Sequence, residues 1–516
     1  MGVWMLDIAA GPTWRFATRP VDWNGDRYHH GLVTSGEALS ALSFDAPEEV
    51  SHSFTVYAQH VADFDAESVA LGAVGTLRYW EDPDGSDDPI TVAVGTIEDP
   101  IFGGPDEPLG ATLRDSPWLD RGLIPDAAAF VSADTWANFD TDANIDAEFY
   151  PLVIGEPGEY TTSTPDAYGS PALYVDTTGG SELMMVAGHP VVGTSIWLNN
   201  TTQGTQTTAS VSTQADDLGR PVAVADVSAW VTASGLAAGD EVWATWYLAG
   251  HGGLPLPSDP SVALTGAGDL IEYLLHRSTI RVDWGRLRAA KQHLNTFRVD
   301  TYIQGLPEQR VSPWGWISEH LLPLLPVSVR TGPEGLYLAA FDPSRPVERG
   351  VERMEEGRNC DRISPVAAVG TEDVANSFEL RYAPKSDRDK GFSVARVSGD
   401  RTLLDAFSGA IRSPVCEESV RRFGVRSRQM STTAIYDDST ATRLLLAMAA
   451  RTALPPLEVA YQMRRPTDLE PGDQVRLVDD SLGWGARTAY VWSVRTGTPT
   501  EVTLRLWRIP GRDSAP

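Results

Sequence analysis

Apolar and polar residues alternate along much of this chain in runs of four to seven residues, and turn-forming pairs close the runs. A period of two places successive side chains on opposite faces of a strand, so such a chain must build sheets with one buried face. In the first 45 residues Trp14, Phe16, Trp23, Tyr28 and Leu32 are separated by the pairs Asn24-Gly25 and His30-Gly31. Asn-Gly between apolar runs is a hairpin signal, because both residues tolerate the positive φ that a tight hairpin turn needs. Short strands are expected to continue at Phe54–Tyr57, Gly75–Trp80 and Ile90–Val94, with a loop-rich stretch over 116–160. Gly 46 and Pro 36 among 516 residues fit a turn-rich chain, and 42% hydrophobic content is enough for several cores.

Residues 161–265 are dense in Thr, Ser, Val and Gly and contain a single basic residue, Arg220. Strand-like runs at Ala172–Val175, Ser195–Leu198 and Glu241–Tyr247 predict a small β-sandwich or β-barrel. Helical spacing begins after residue 266. Leu270, Tyr273, Leu274 and Arg277 share one face, and Asp283 is placed to cap a helix carrying Leu287, Ala290 and Leu294. Ser312 with Pro313 reads as a cap followed by proline in the first turn. A fourth helix is expected from Thr440 to about Ala453, capped by Asp438 or Ser439. The last 35 or so residues alternate in three strands, predicting a terminal antiparallel sheet of three or four strands. Ala238-Gly-Asp-Glu-Val242 and Pro471-Gly-Asp-Gln-Val475 echo each other as turns that deliver a strand.

Charge divides the chain in two. Residues 1–265 hold 7 basic and 38 acidic side chains, a net of −31, whereas residues 266–516 come to +2. The first half repels phosphate backbones, which argues against tight nucleic-acid binding there but allows DNA to pass nearby. Two cysteines, Cys360 and Cys416, are too few for a disulfide framework, although sequence separation leaves a single bridge open. The start MGVWMLDIAAGP lacks the basic n-region and long apolar core of a secretory leader, and Leu6 stands where a myristoylation signal needs Ser or Thr. The most apolar stretch, LLPLLPVSV, is interrupted by Pro323 and Pro326, so no membrane segment is expected.

Catalytic signatures are missing. None of Lys291, Lys385 and Lys390 follows a glycine as a phosphate loop requires; no His precedes Glu; and G-x-S-x-G and GxGxxG are absent. All nine histidines lie at or before His320 and both cysteines after it, so a Cys–His pair could form only across domains. Asp140, Asp142, Asn144, Asp146 and Glu148 alternate like calcium ligands. Ile145 replaces the loop glycine and Pro151 the terminal Glu, so a solvated strand face is the simpler reading. Glu81, Asp82, Asp84, Asp87 and Asp88 around Gly85 read as a solvated hairpin turn, and His29, His30 and His251 as turn residues. No catalytic, cofactor-binding or metal-binding residues and no cofactor are assigned. Trp197, Trp243 and Trp246 are candidates for stacking on sugar rings; packing in their own β-domain is the competing role.

The N-terminal hairpin ending at Gly31-Leu32, LGATLRDSPWLDRGLIP, YPLVIGEPG, LLHRSTIRVDWGRLRAAKQHLNTFRVDTYI, VSPWGWISEHLLPLLPVSVRTGPEGLYLA and LEPGDQVRLVDDSLG, in that order, resemble baseplate or tail-tip hub proteins of tailed bacteriophages. The likeness covers most of the chain, least at 161–265, and its motifs are packing and turn motifs. It implies a mostly β, multidomain chain of small antiparallel β-barrels or sandwiches with short helical insertions. The expected division is an acidic β-rich unit at 1–160, a Thr/Ser-rich insertion at 161–265, a mixed α/β unit at 266–435, and a helix plus antiparallel β-domain at 436–516. It further implies a virion structural protein without enzymatic activity, located at the tail tip and assembled in the host cytoplasm. Such a protein would form a homotrimer whose barrels make a pseudo-sixfold ring. Its partners would be the distal tail or tail tube protein, the spike or fibre and other baseplate proteins, and the tape measure protein. DNA would pass its acidic lumen without specific binding. Related tail-tip proteins that carry an iron–sulfur cluster use four cysteines, which two cannot supply. The alternative is a carbohydrate- or receptor-binding tail protein with 161–265 as the binding module.

Overall fold

The Asn24-Gly25 pair turns the chain as its composition demands: Asn24 has φ 52° and Gly25 φ 84°, and the turn joins strands Val21–Trp23 and Asp26–His30. We describe the protein from a computed structural model. It describes the chain apart from residues 1, 11, 35–37, 42–50, 59–60, 62–63, 66–68, 70–72, 81, 84–87, 102–107, 115–121, 125–129, 133, 139–148, 159, 162–163, 166–168, 177–181, 238, 247–251, 305–309, 333, 344–350, 385–391, 466, 497–499 and 508–516. The alternating acidic run 140–148, His251, and Glu81, Asp84 and Asp87 of the first acidic turn therefore lie outside the described residues.

From that hairpin a nine-stranded sheet runs through Thr13–Ala17, Val3–Ala9, Val74–Trp80, Ile90–Ile101, Leu109–Arg114 and Ser51–Val56 to Leu32–Thr34. It curls: Gly31 N–H donates to Ala17 O at 3.1 Å, bringing the far edge back towards the first strands. Leu6, Ile8, Phe16, Leu32, Phe54, Leu77 and Leu113 fill the enclosed side. Val3, Met5, Tyr28 and Trp80 form a smaller cluster.

The Thr/Ser-rich block closes into a six-stranded barrel. Its strands are, in order, Ser170–Asp176, Leu183–Ala187, Pro221–Asp226, Thr205–Ala215, Ser195–Asn200 and Val242–Thr245. Met184, Val186, Ile196, Leu198, Ala225 and Ala244 point inward. Outward-facing Leu173, Val175, Met185, Val222 and Val224 pack against Val131, Trp136 and Tyr150. This is why Leu183–Ala187 reads LMMVA with no polar residue: both of its faces are buried.

Helices Ala267–Leu275, Trp284–Leu294, Pro313–His320 and Asp438–Thr452 share one core with the hairpin Val327–Gly332/Gly335–Ala340 and a four-stranded sheet. That sheet runs Ile411–Arg412, Phe392–Ser398, Ser377–Pro384, Ser427–Ser431. Asp283 accepts from Arg286 N–H at 3.0 Å and Ser312 from Gly315 N–H at 2.9 Å, as the capping signals predict. The fourth helix starts at Asp438 itself, so its cap falls one residue before the expected one. Asp437 is the N-cap, accepting from Thr440 N–H at 2.7 Å, and Asp438 instead receives the Tyr382 hydroxyl. Helices Ser228–Ser234, Arg401–Ala406 and Pro414–Phe423 add to those expected.

The terminal sheet contains Gln474–Asp479, Trp484–Thr496, Glu501–Leu506 and Leu457–Met463 in antiparallel succession. Glu352–Glu355 extends it in parallel, Cys360–Arg362 and Ala367–Ala368 pair with Leu457–Met463, and Ala38–Ala41 pairs with Trp484–Thr496. The expected antiparallel sheet is present, and a strand from the first unit lengthens it. The fold is mostly β and multidomain, with a closed barrel and short helices.

The cap assignment is testable. Asp437→Ala should cost about 1 kcal/mol in urea unfolding through loss of the Thr440 bond. Ser439→Ala should cost less than half of that, and the opposite order would move the cap.

Candidate functional site

Register decides what the three tryptophans can do. Trp197 lies opposite Thr245, and Asn199 opposite Trp243. Trp197 and Trp243 therefore project from the same outer face of the barrel at diagonal positions, while Leu198 and Ala244 point inward. Both indoles are half-buried. Trp243 Nε1 donates to Glu241 at 3.0 Å, and its ring meets Tyr302 edge-on with centroids 6.1 Å apart. Trp246, three residues further, has the opposite parity. It is 1% exposed in the barrel core and donates from Nε1 to Ser170 Oγ at 2.8 Å. The structure thus brings two of the three together and places the third where no sugar can reach it.

Two polar joints, neither visible as a motif of catalysis, hold the parts in place. The first involves the YPLVIGEPG segment. Asp300, 1% exposed, accepts from Glu156 N–H at 2.8 Å and from Arg298 Nε at 2.8 Å. Arg298 also reaches Glu156 at 2.7 Å. Gly155 has φ 65°, and a Cβ there would lie 2.4 Å from Asp300 Oδ1, so only glycine fits.

The second joint ties the helical core to the terminal sheet. Arg286 Nη1 donates to the Tyr337 hydroxyl at 2.9 Å and to Glu470 at 2.6 Å, and Tyr337 donates to the same Glu470 oxygen at 2.5 Å. Arg330 Nη1 binds Asp473 at 3.1 Å, and its guanidinium lies over Gly472 at the spot a Cβ would occupy, 2.2 Å from Nη2. Burial, then the like charges of Asp468 and Asp473, raises the Glu352 carboxyl above the usual range. Beside the joint opens a cleft of about 940 Å³ lined by Arg286, His293, Arg330, Asp342, Glu352 and Asp468. Phe341, Tyr490 and Trp507 pack together in tilted and edge-on contacts with centroids 4.8 to 5.7 Å apart.

The two Gly-Asp echoes are one turn used twice. Asp240 accepts from Ala237 N–H at 3.0 Å and Asp473 from Glu470 N–H at 2.8 Å, each three residues back. The reverse backbone bonds, Asp240 N–H to Ala237 O and Asp473 N–H to Glu470 O, are both 3.0 Å.

Cys360 and Cys416 are buried and unbridged. Burial pushes their thiols up to about 12 and about 11, which keeps them protonated. Among the described residues no group of three or more His, Cys, Asp or Glu side chains could hold a metal ion, and no helix is long and apolar enough to cross a membrane.

No protein-family model matches the chain, and no curated protein matches it. Solved structures similar to it include tail proteins. The 43 kDa tail protein of prophage MuSo2 from Shewanella oneidensis shares 10% identity over 98% of each chain, with a TM-score of 0.38. A tail protein from Neisseria meningitidis MC58 shares 11% over 98% of this chain and 96% of that one, with a TM-score of 0.39. The prophage tail protein gp18 from Listeria monocytogenes EGD-e shares 8% over 99% and 95%, with a TM-score of 0.35. Scores below 0.5 do not establish a shared fold, so the functional reading stands on the chain's own residues.

His189 provides a pH test of the barrel's seat. Its Nε2 accepts from Val153 N–H at 3.0 Å, so the proton sits on Nδ1, which faces Pro190 O at 2.8 Å. Burial lowers its pKa from 6.5 to about 4. The neutral ring is thus favoured in the fold; its contribution is complete above 6.5 and is lost as pH falls towards 4. His189→Gln should flatten the decline in unfolding midpoint between those values, and an unchanged slope would refute this.

Proposed function

We propose that the chain is a structural component of a bacteriophage tail. In this reading it is a hub at the tail tip, joining the tail tube or distal tail ring to the spike or fibre assembly, and it has no catalytic role. One observation carries it: four of the six segments on which the resemblance rests supply the residues of the two joints. YPLVIGEPG supplies Gly155 and Glu156 to the Asp300 clamp, and LEPGDQV supplies Glu470, Gly472 and Asp473 to the Arg286 and Arg330 clamps. A chain whose polar joints fix the placement of β units, rather than converge on a reactive centre, is built to hold a shape. The pairing of Ala38–Ala41 with Trp484–Thr496 supports the same reading, because it sets the first and last β units side by side within one subunit. Two such units per subunit are what a threefold assembly needs to present six barrels in a ring. The −31 of residues 1–265 suits a lumen past which DNA slides without sticking.

The mass of the purified chain by light scattering tests this. A particle of about three times 55.9 kDa, with a threefold ring in negative stain, is expected. A particle with twofold symmetry would refute the ring.

The second reading, a carbohydrate-binding tail protein, is favoured by the diagonal placement of Trp197 and Trp243 on the outer barrel face. A glycan array probed with the full chain should then show binding that Trp243→Ala abolishes. Uniform silence would remove this reading and leave the hub.

A further inference from the structure

The elbow between helices Ala267–Leu275 and Trp284–Leu294 carries cations that the fold does not neutralise. Most charges nearby are matched. Arg288 binds Glu272 at 2.8 Å, Lys291 binds Glu272 at 2.6 Å and Asp269 at 2.5 Å, and Arg286 is held by Asp283 and Glu470. Arg277 and Arg281 are different. Both are exposed, and neither has a carboxylate partner among the described residues. Arg277 sits in an ordered aromatic setting. The Arg277 guanidinium lies 3.6 Å above the Tyr273 ring and donates to Tyr273 O at 3.2 Å. His276 stacks on Trp284 with centroids 4.0 Å apart and planes 14° from parallel.

We infer that this elbow, Tyr273, His276, Arg277, Arg281 and Trp284, docks the acidic surface of a second copy of this chain. The inference rests on the reading of the protein as a self-assembling tail component, and it names the surface. Three physical points carry it. Trp, Tyr and Arg are the residue types that dominate interface energetics. The stack and the cation–π contact already restrict Tyr273, His276, Arg277 and Trp284, so these four lose little rotamer entropy on docking. The complementary charge is in the chain itself, since residues 1–265 hold 38 acidic against 7 basic side chains. A contact from the elbow of one copy to the acidic half of the next uses two different surfaces. Such heterologous contacts close into rings when the rotation allows.

The test uses the full chain in sedimentation at about 50 mM and about 500 mM salt, where screening lengths differ severalfold. Wild-type self-association should weaken at the higher salt. The double variant Arg277→Glu/Arg281→Glu should raise the dissociation constant at least about tenfold with an unchanged melting temperature. If that variant fails to fold, Arg277→Gln/Arg281→Gln replaces it, with a smaller shift in the same direction. A benzophenone maleimide on Thr279→Cys, exposed on the elbow while both native cysteines are buried, should cross-link to residues 1–265 of the other copy. Association that ignores the double reversal, with cross-links elsewhere, overturns the elbow but leaves self-assembly standing. A single-chain mass under all conditions overturns both. Retention of a single-stranded oligonucleotide that the double variant loses, without self-association, would make the elbow a nucleic-acid surface and also overturn the inference.

Discussion

A carboxylate at 1% exposure cannot be left without donors, and Asp300 takes one from its own turn and one from a distant stretch of chain. Glu156 N–H arrives from the segment leading into the barrel, Arg298 from the same turn as Asp300, and Asp300 N–H goes on to Ala434 O at 3.0 Å. Arg298 N–H in turn reaches Thr440 Oγ1 at 3.3 Å in the first turn of helix Asp438–Thr452. The 298–300 turn that carries this charge is thereby bonded to Glu156, to Ala434 and to helix Asp438–Thr452, and strands Leu152–Ile154 and Thr301–Ile303 pair beside it. The terminal sheet has its own version. Asp479, fully buried, receives the Tyr461 hydroxyl at 2.8 Å, Ser481 at 2.6 Å and Leu482 N–H at 3.2 Å, with Arg362 at 3.7 Å. In both places polar satisfaction, more than apolar area, selects one arrangement among those the sheets could adopt.

Local chemistry was legible in the sequence because it is decided locally. The Asn24-Gly25 turn, the Asp283 cap and the Ser312-Pro313 helix start each depend on residues within one turn of the chain. Helix Pro414–Phe423 carries the same Ser-Pro start at Ser413, although there the serine side chain makes no capping bond. The period of two also contained the separation of Trp243 from Trp246, which an odd spacing puts on opposite faces. Sheet order was not legible. Nothing local tells Glu352–Glu355 to lie parallel to Gln474–Asp479, or sets Arg286 against Glu470 across 184 residues. Those pairings depend on the placement of whole units, which no window of sequence contains.

The two halves also use charge differently. After residue 266 most arginines within reach of a carboxylate take one, as Arg396 does with Glu379, Arg464 with Asp361 and Arg505 with Glu458. Before it, 7 cations cannot match 38 anions, so most carboxylates there depend on water and salt for compensation. The second half is knit by internal pairs; the first keeps a surplus of negative charge that its own cations cannot match.

The strand Ala38–Ala41 meets its partner Ser493–Thr496 more than 450 residues later. A ribosome adding roughly 5–20 residues each second needs about 20–90 s to cover that interval. For that time the first unit emerges with one strand lacking its sheet, an edge of the sort that pairs with whatever backbone is near. The edge of Trp484–Thr496 that Ala38–Ala41 covers therefore cannot be closed until some 450 residues have been added after the strand that closes it.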